Sequence, residues 1–149
     1  MIPLLLAAAL VVVNVDEPGW ARFSRSSLLP PGETRITVGT LGYDREHRKL
    51  DYWLRRNDAG QTYWTDSRKC PQARDILSAM RFIEREPQSG AIAFFPESID
   101  YTLDTPGSAG QGATHMASGP DTSLAKWVDT AMVALAPCWS PTPPTRPAP

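Results

Sequence analysis

The chain has few of the residues that most often carry chemistry, since its 149 residues include two cysteines and two histidines. It contains no Cys-x-x-Cys, His-Glu-x-x-His or Gly-x-Ser-x-Gly pattern, so dithiol oxidoreductases, zinc proteases and α/β-hydrolases have no support. Charges are balanced, with 15 Lys and Arg against 16 Asp and Glu, and the sequence pI is about 6.1. Nucleic-acid-binding surfaces are usually concentrated and basic. We therefore predict no nucleic-acid partner, no cofactor and no metal site.

No uninterrupted apolar run reaches the roughly 20 residues that a membrane-spanning helix needs. The longest apolar stretch, residues 2–15, ends at an Asp-Glu-Pro-Gly sequence. Its length is typical of the apolar part of a secretory signal, although no Lys or Arg precedes it. We expect residues 1–15 to be a secretory leader cleaved close to residue 15, with a buried N-terminal element or an uncleaved anchor as alternatives. Residues 16–139 then form one domain, and the proline-rich residues 140–149 form a flexible tail.

The two cysteines, Cys70 and Cys138, are consistent with one structural bridge in an oxidising compartment. Cys70 precedes Pro71 at a predicted helix start, and Cys138 follows the end of a second helical pattern. Closing so long a loop would stabilise the fold by roughly 4 kcal/mol on the chain-entropy model. The alternative is a reactive thiol at Cys70, beside Lys69. The bridge and the leader together predict a periplasmic or secreted protein.

Hydrophobic periodicity predicts an α+β domain, with an antiparallel sheet of about five strands and two helices packed on one face. The predicted strands are residues 33–43, 50–55, 61–65, 91–95 and 99–104. The predicted helices are residues 71–85 and 124–135, the second with Asp121, Thr122 or Ser123 as its N-cap. Residues 20–32, rich in Ser, Arg and Pro, are predicted as an irregular connection. Residues 105–120 are predicted as a long connection, either mobile or a binding lid.

The most informative stretch is residues 50–65, where two alternating segments flank a Gly-ended loop at residues 57–60. This pattern predicts a β-hairpin with Leu54 opposite Tyr63 and Trp53 opposite Trp64. Aliphatic and tyrosine side chains then share one face for the core. The other face carries the two indoles among charged residues.

Aromatic side chains beside arginines are typical of interface cores. We therefore expect a non-catalytic binding or inhibitor-like module for an unidentified protein or envelope ligand. Its contact face would consist of Trp53, Trp64, Arg55, Asp51, Asp66 and Arg68. A structural alternative is that the segment around Trp20 and Phe23, or a helix, covers the indoles. Two other functional hypotheses are a small hydrolase using Ser123 or His115, which needs a carboxylate or second base in reach, and an envelope structural protein.

Overall fold

The computed structural model describes residues 10–85, 98–105 and 114–146, and these form an α+β fold. The predicted strand at residues 91–95 lies outside the described residues. Single 3₁₀ turns follow both helices, at Met80–Phe82 and Ala136–Cys138. In chain order the described elements are β1 (Val11–Val12), β2 (Ala21–Leu28), β3 (Pro31–Asp44), β4 (Lys49–Asp58), β5 (Gln61–Asp66), α1 (Gln72–Ala79), β6 (Ile99–Thr105), β7 (Thr114–Ser118), α2 (Ser123–Leu135) and β8 (Thr145–Arg146).

The main sheet is antiparallel, with strand order β5-β4-β3-β2-β6-β7, and both helices pack on one of its faces. The predicted class and layer arrangement are therefore confirmed, with six strands rather than about five. The core between the sheet and the helices is built from fully buried aliphatic and aromatic side chains. Side chains with the least exposure in this core include Phe23, Ile36, Val38, Leu54, Val128 and Leu135.

Strand β2 lies inside the sheet, between β3 and β6, so the prediction of an irregular connection at residues 20–32 is wrong for this segment. Its inward side chains, Ala21 and Phe23, are buried in the core. Its outward side chains as far as Ser26 are polar, and the buried Ser24 hydroxyl shares a 2.6 Å hydrogen bond with the Thr102 hydroxyl of β6. The period-two alternation is present, but the Ser and Arg content disguises it.

Residues 114–118, within the predicted connection at 105–120, form strand β7 and pair with β6. The prediction of a structureless connection is therefore wrong for these five residues and for Thr105, which ends β6. Most of the remaining connection lies outside the described residues.

The β4–β5 hairpin turns through two residues, Ala59 and Gly60, and not through the predicted loop at residues 57–60. Both have positive φ, 47° and 81°, as a type I′ turn requires. Trp53 therefore pairs with Asp66 rather than with Trp64. Because the shift in register is two residues, each side chain stays on its predicted face.

The Cys70–Cys138 disulfide is present, with the two Cα atoms 5.8 Å apart. It joins the start of α1 to the end of the 3₁₀ turn after α2, as the sequence predicts. Both cysteines are used in the bridge, so the alternative of a reactive thiol at Cys70 is wrong for this structure. A disulfide is compatible with an extracellular location.

Helix α2 begins where Thr122 caps it, since Thr122 Oγ1 accepts a 3.0 Å hydrogen bond from the Ala125 N–H. Its buried stripe, at helical spacing, consists of Leu124, Ala125, Val128, Ala131 and Leu135. Neither helix in the described part of the chain has the length and apolar content to cross a membrane.

Residues 11–18 and 140–146, here called the strap, lie on the sheet face opposite the helices. Strands β1 and β8 pair within it, and Val13 donates a 3.0 Å hydrogen bond to the Pro144 carbonyl. Arg146 binds the Glu17 carboxylate, and Ser140 exchanges two backbone hydrogen bonds with Trp64 of β5. Residues 140–146 are therefore part of the fold and not a flexible tail. The folded domain also begins before residue 16.

Removing residues 1–15 should destabilise the domain by about 2 kcal/mol, because burial of Val13, which is 1% exposed, and its bond to Pro144 are lost. A matched truncation that begins at Leu10 keeps the strap and should be more stable than the chain that begins at Asp16 by this amount. Chemical denaturation followed by tryptophan fluorescence measures both. Equal stability of the two truncated chains would show that residues 10–15 of the strap contribute nothing.

Candidate functional site

Trp53 and Trp64 do not form an exposed face, since they are 0% and 2% exposed. They pack with Val13 and Leu41 in a second, smaller core beneath the strap. The Trp53 ring also lies against Gly39, where a Cβ atom would come within 2.1 Å of two indole carbons. The binding face predicted from the sequence is therefore covered by the chain itself.

Arg55 closes this indole cluster beneath the strap. Its guanidinium carbon lies 5.3 Å from the Trp53 ring centroid and 5.6 Å from that of Trp64, within cation–π range. Its NH1 donates a 2.9 Å hydrogen bond to the Glu17 carbonyl. Burial lowers the pKa of Arg55, while the charges of Asp16 and Glu17 counteract that shift. These contacts hold the strap on the sheet and leave Arg55 committed to the fold.

Asp51 is the centre of a second cluster, in which a carboxylate only 1% exposed meets two arginines. It accepts hydrogen bonds from Arg68 Nε at 2.8 Å, from Ser67 Oγ at 3.1 Å and from Arg74 NH2. Burial acts to raise the pKa of Asp51, but the Arg68 and Ser67 hydrogen bonds and the two guanidinium charges outweigh it, and the pKa is lowered. Ser67 Oγ also accepts the Tyr52 N–H at 2.9 Å. Asp51 thus ties β4 to α1 and to the turn between β5 and α1.

Asp66 accepts hydrogen bonds from the backbone of that same turn. Its Oδ1 accepts the backbone N–H groups of Arg68 at 2.9 Å and Lys69 at 3.0 Å. Its carbonyl accepts the Cys70 N–H at 2.9 Å, which places Cys70 for the bridge. The six residues predicted as one contact face therefore belong to two separate clusters, and both clusters serve the fold.

An open groove of about 340 Å³ lies on the helix side of the sheet, at the edge of α1. Its aromatic part is an edge-to-face pair of half-buried rings, Trp20 and Tyr52, with centroids 5.8 Å apart. The backbone of Trp20, a residue that the sequence placed near the indoles, is fixed here by a 2.8 Å hydrogen bond from its main-chain N–H to the Val38 carbonyl. The complete lining is Trp20, Tyr52, Arg74, Leu77, Ser78 and Arg81. We call it the aromatic–arginine groove.

The two arginines of the groove differ in what they bind. Arg74 is committed to the fold, since it binds Asp51 and donates a 2.5 Å hydrogen bond to the Leu50 carbonyl. Arg81 is exposed and stacks over the Phe82 ring, 5.1 Å from its centroid. Among the described residues it has no hydrogen bond or ion pair. The groove therefore combines an apolar, aromatic floor with one exposed cation, Arg81.

The groove is not evident from the sequence for two reasons. Trp20 lies in the segment predicted as a connection, and the alternation predicts that Tyr52 belongs wholly to the core. One signal was present, because residues 74, 78 and 81 recur at helical spacing beside the apolar stripe of the first helix. Those polar positions mark the rim that faces the two rings.

The two hydrolase candidates, His115 and Ser123, contact different residues. His115 Nδ1 contacts Asp104 Oδ1 on the neighbouring strand, and both side chains are more than a third exposed. Ser123 Oγ accepts the Glu84 N–H at 3.1 Å. In residues 10–85, 98–105 and 114–146, no hydrogen bond joins Ser123 to His115. Within the same ranges, no group of three or more His, Cys, Asp or Glu side chains is arranged to hold a metal ion.

Replacing Asp51 by Asn should lower the free energy of unfolding by about 3 kcal/mol at neutral pH, because two guanidinium groups lose a buried counter-charge. The folded-state pKa of Asp51 is lowered, so its contribution is fully present above the unfolded pKa of about 4 and is lost as pH falls through the folded pKa.

The difference in stability between wild type and Asp51→Asn should thus be constant from about pH 7 to pH 5 and shrink below about pH 4. Urea denaturation across this range measures it, with the exposed Asp75→Asn as the control. A difference that persists unchanged to about pH 2 would contradict the assignment.

Comparison of the chain with known protein families, with curated proteins and with solved structures finds no match. A functional conclusion for this protein therefore comes from its own residues and their geometry.

Proposed function

We propose that this protein is an exported, non-catalytic binding module whose recognition site is the aromatic–arginine groove. The observation that carries the proposal is the half-buried Trp20–Tyr52 ring pair beside Arg81, a cation with no ion pair in the described part of the chain. Aromatic and arginine side chains dominate the energetics of protein interfaces. The volume of the groove is within the range of ligand sites.

The proposed function is still a binding module, as the sequence suggests, but its site is the aromatic–arginine groove and not the face of Trp53 and Trp64. The indoles of Trp53 and Trp64 are covered, whereas the rings of Trp20 and Tyr52 are accessible from solvent. The site is built on rigid elements, because Tyr52 lies in β4 and Arg74 is held to it through Asp51. A preformed site of this kind loses little conformational entropy when it binds.

Export to the periplasm or the medium is the second part of the proposal. It is supported by the apolar residues 2–15 and by a disulfide that closes the fold. Since Val11 and Val12 pair with β8 and Val13 is buried, a leader cleaved near residue 15 would remove part of the folded domain. We therefore place the end of any removed leader before Val11.

The intact mass of the protein, isolated from the cells that make it, tests export. We expect recovery outside the cytosol, with the Cys70–Cys138 bridge formed and a chain that begins at or before Val11. Reduced thiols in a cytosolic protein would contradict export. A mature chain that begins at Asp16 would contradict the placement of the leader.

Photo-crosslinking in the producing cells tests the groove. A benzophenone amino acid at the exposed Ser78, on the groove rim, should give a discrete adduct with a partner. The same probe at the exposed Thr130 of α2 is the positional control and should give none. Arg81→Glu should weaken the Ser78 adduct by roughly tenfold, while the exposed Lys126→Glu should leave it unchanged. Absence of a Ser78 adduct, or one equally strong at Thr130, would contradict the proposal.

The small-hydrolase hypothesis is supported by the His115–Asp104 pair, and the envelope-structural hypothesis by no contact in the described ranges. The pair lies at an exposed edge of the sheet, where His115 lines a pocket with Ser118 and Thr122. General-base catalysis also needs a nucleophile within hydrogen-bond reach of the base, and among the described residues no hydrogen bond from a hydroxyl reaches His115.

A further inference from the structure

The aromatic–arginine groove continues onto the end of the β3–β4 hairpin. Leu50 and Tyr52 are two residues apart in β4 and therefore lie on the same face of the strand. Tyr43 of β3 is the partner of Leu50 in the β3–β4 pairing. Tyr43 is 56% exposed and Leu50 is 43% exposed. Arg74 donates to the Leu50 carbonyl, so helix α1 meets β4 where these exposed side chains begin. An apolar strip therefore extends from Tyr43 to Trp20.

Cations lie at both ends of this strip. The hairpin end carries Arg45, Arg48 and Lys49, all exposed, and the helix end carries Arg81. None of these four has an ion pair in the described part of the chain. The carboxylates on the same elements are Glu46 and Asp75, which are exposed, and Asp44, whose partner is His47. Lys and Arg therefore outnumber Asp and Glu on this surface, four against three.

The cations are spread out and do not converge on one point. Lys49 is three residues from Tyr52, or about 10 Å along an extended strand. Arg81 is seven residues from Arg74, or about 10 Å along a helix. A single compact anion such as one phosphate group cannot reach both ends. A ligand that uses them must distribute its negative charges along its length.

We infer that this surface binds an extended protein segment in which several acidic residues flank an aromatic or aliphatic side chain. The apolar side chain enters the groove between Trp20 and Tyr52, and the acidic residues reach Arg81 at one end and Arg45 at the other. The segment spans at least about six residues, since an extended chain covers about 3.3 Å per residue and Arg45 lies beyond Lys49 in the hairpin turn. This inference rests on the proposed function, because it names the partner class for the same groove.

Selection from a phage-displayed random dodecapeptide library on the immobilised full chain tests the inference. Peptides rich in Asp and Glu around a large apolar residue should be enriched. The best peptide should bind roughly tenfold more weakly to Arg81→Glu and to Arg45→Glu, because like charges then face each other. Lys126→Glu, an equal change of charge at an exposed position on α2, should bind as wild type does. Raising the salt to about 0.5 M should weaken binding to wild type and have less effect on the two reversed variants.

Several outcomes would overturn the inference. They are the absence of any enriched peptide, enrichment without acidic residues, and binding that neither charge reversal alters. Charge-dependent binding of phosphatidylglycerol vesicles with no acidic peptide selected would also overturn it, since a lipid surface would then be the occupant. A Ser78 crosslink with none of the acidic preference would overturn this inference and leave the proposed function standing. Thermal melting of each variant checks that the fold is intact.

Discussion

The structure depends on the buried Asp51 carboxylate and the two guanidinium groups that neutralise it. A buried charge is costly unless it is paired and hydrogen-bonded, so the carboxylate obliges Arg68 and Arg74 to remain in place. Arg74 brings α1 onto β4, and Arg68 with Ser67 fixes the turn that delivers Cys70 to its bridge. The same contacts form one wall of the aromatic–arginine groove. The ion pairs of Asp51 thus stabilise both the fold and the groove.

The two faces of the sheet differ in what they bury and in what they leave accessible to a ligand. The helix side buries a large core and, at its margin, leaves a groove of rings and arginines accessible. The opposite side buries the second core, and the strap covers it. Because both ends of the described chain meet in the strap, the indoles of Trp53 and Trp64 stabilise the domain and are unavailable for binding. Recognition is therefore left to the margin of the helix side.

Particular residues account for the predictions that the structure confirms and for those that it does not. Alternation placed Trp53 and Trp64 on one face correctly even though the register was two residues out, because a shift of two preserves the face. The cysteine spacing and the flanking prolines predicted the bridge correctly. The central strand β2 was missed, because Ser and Arg on its polar face obscured the inward alternation of Ala21 and Phe23. The groove was missed because its two rings come from segments 32 residues apart in sequence, Trp20 and Tyr52.

The sequence alone determined the α+β class, the antiparallel hairpin, the faces of its side chains and the disulfide. These features follow from local periodicity and from residue types that act over a few positions. Only the tertiary structure decided which face is exposed, because that depends on where residues 11–18 and 140–146 return to the sheet. It also decided which arginines are committed to the fold, since pairing depends on distance in space. Exposure and pairing are long-range properties, and they moved the candidate site from the buried indoles to the aromatic–arginine groove.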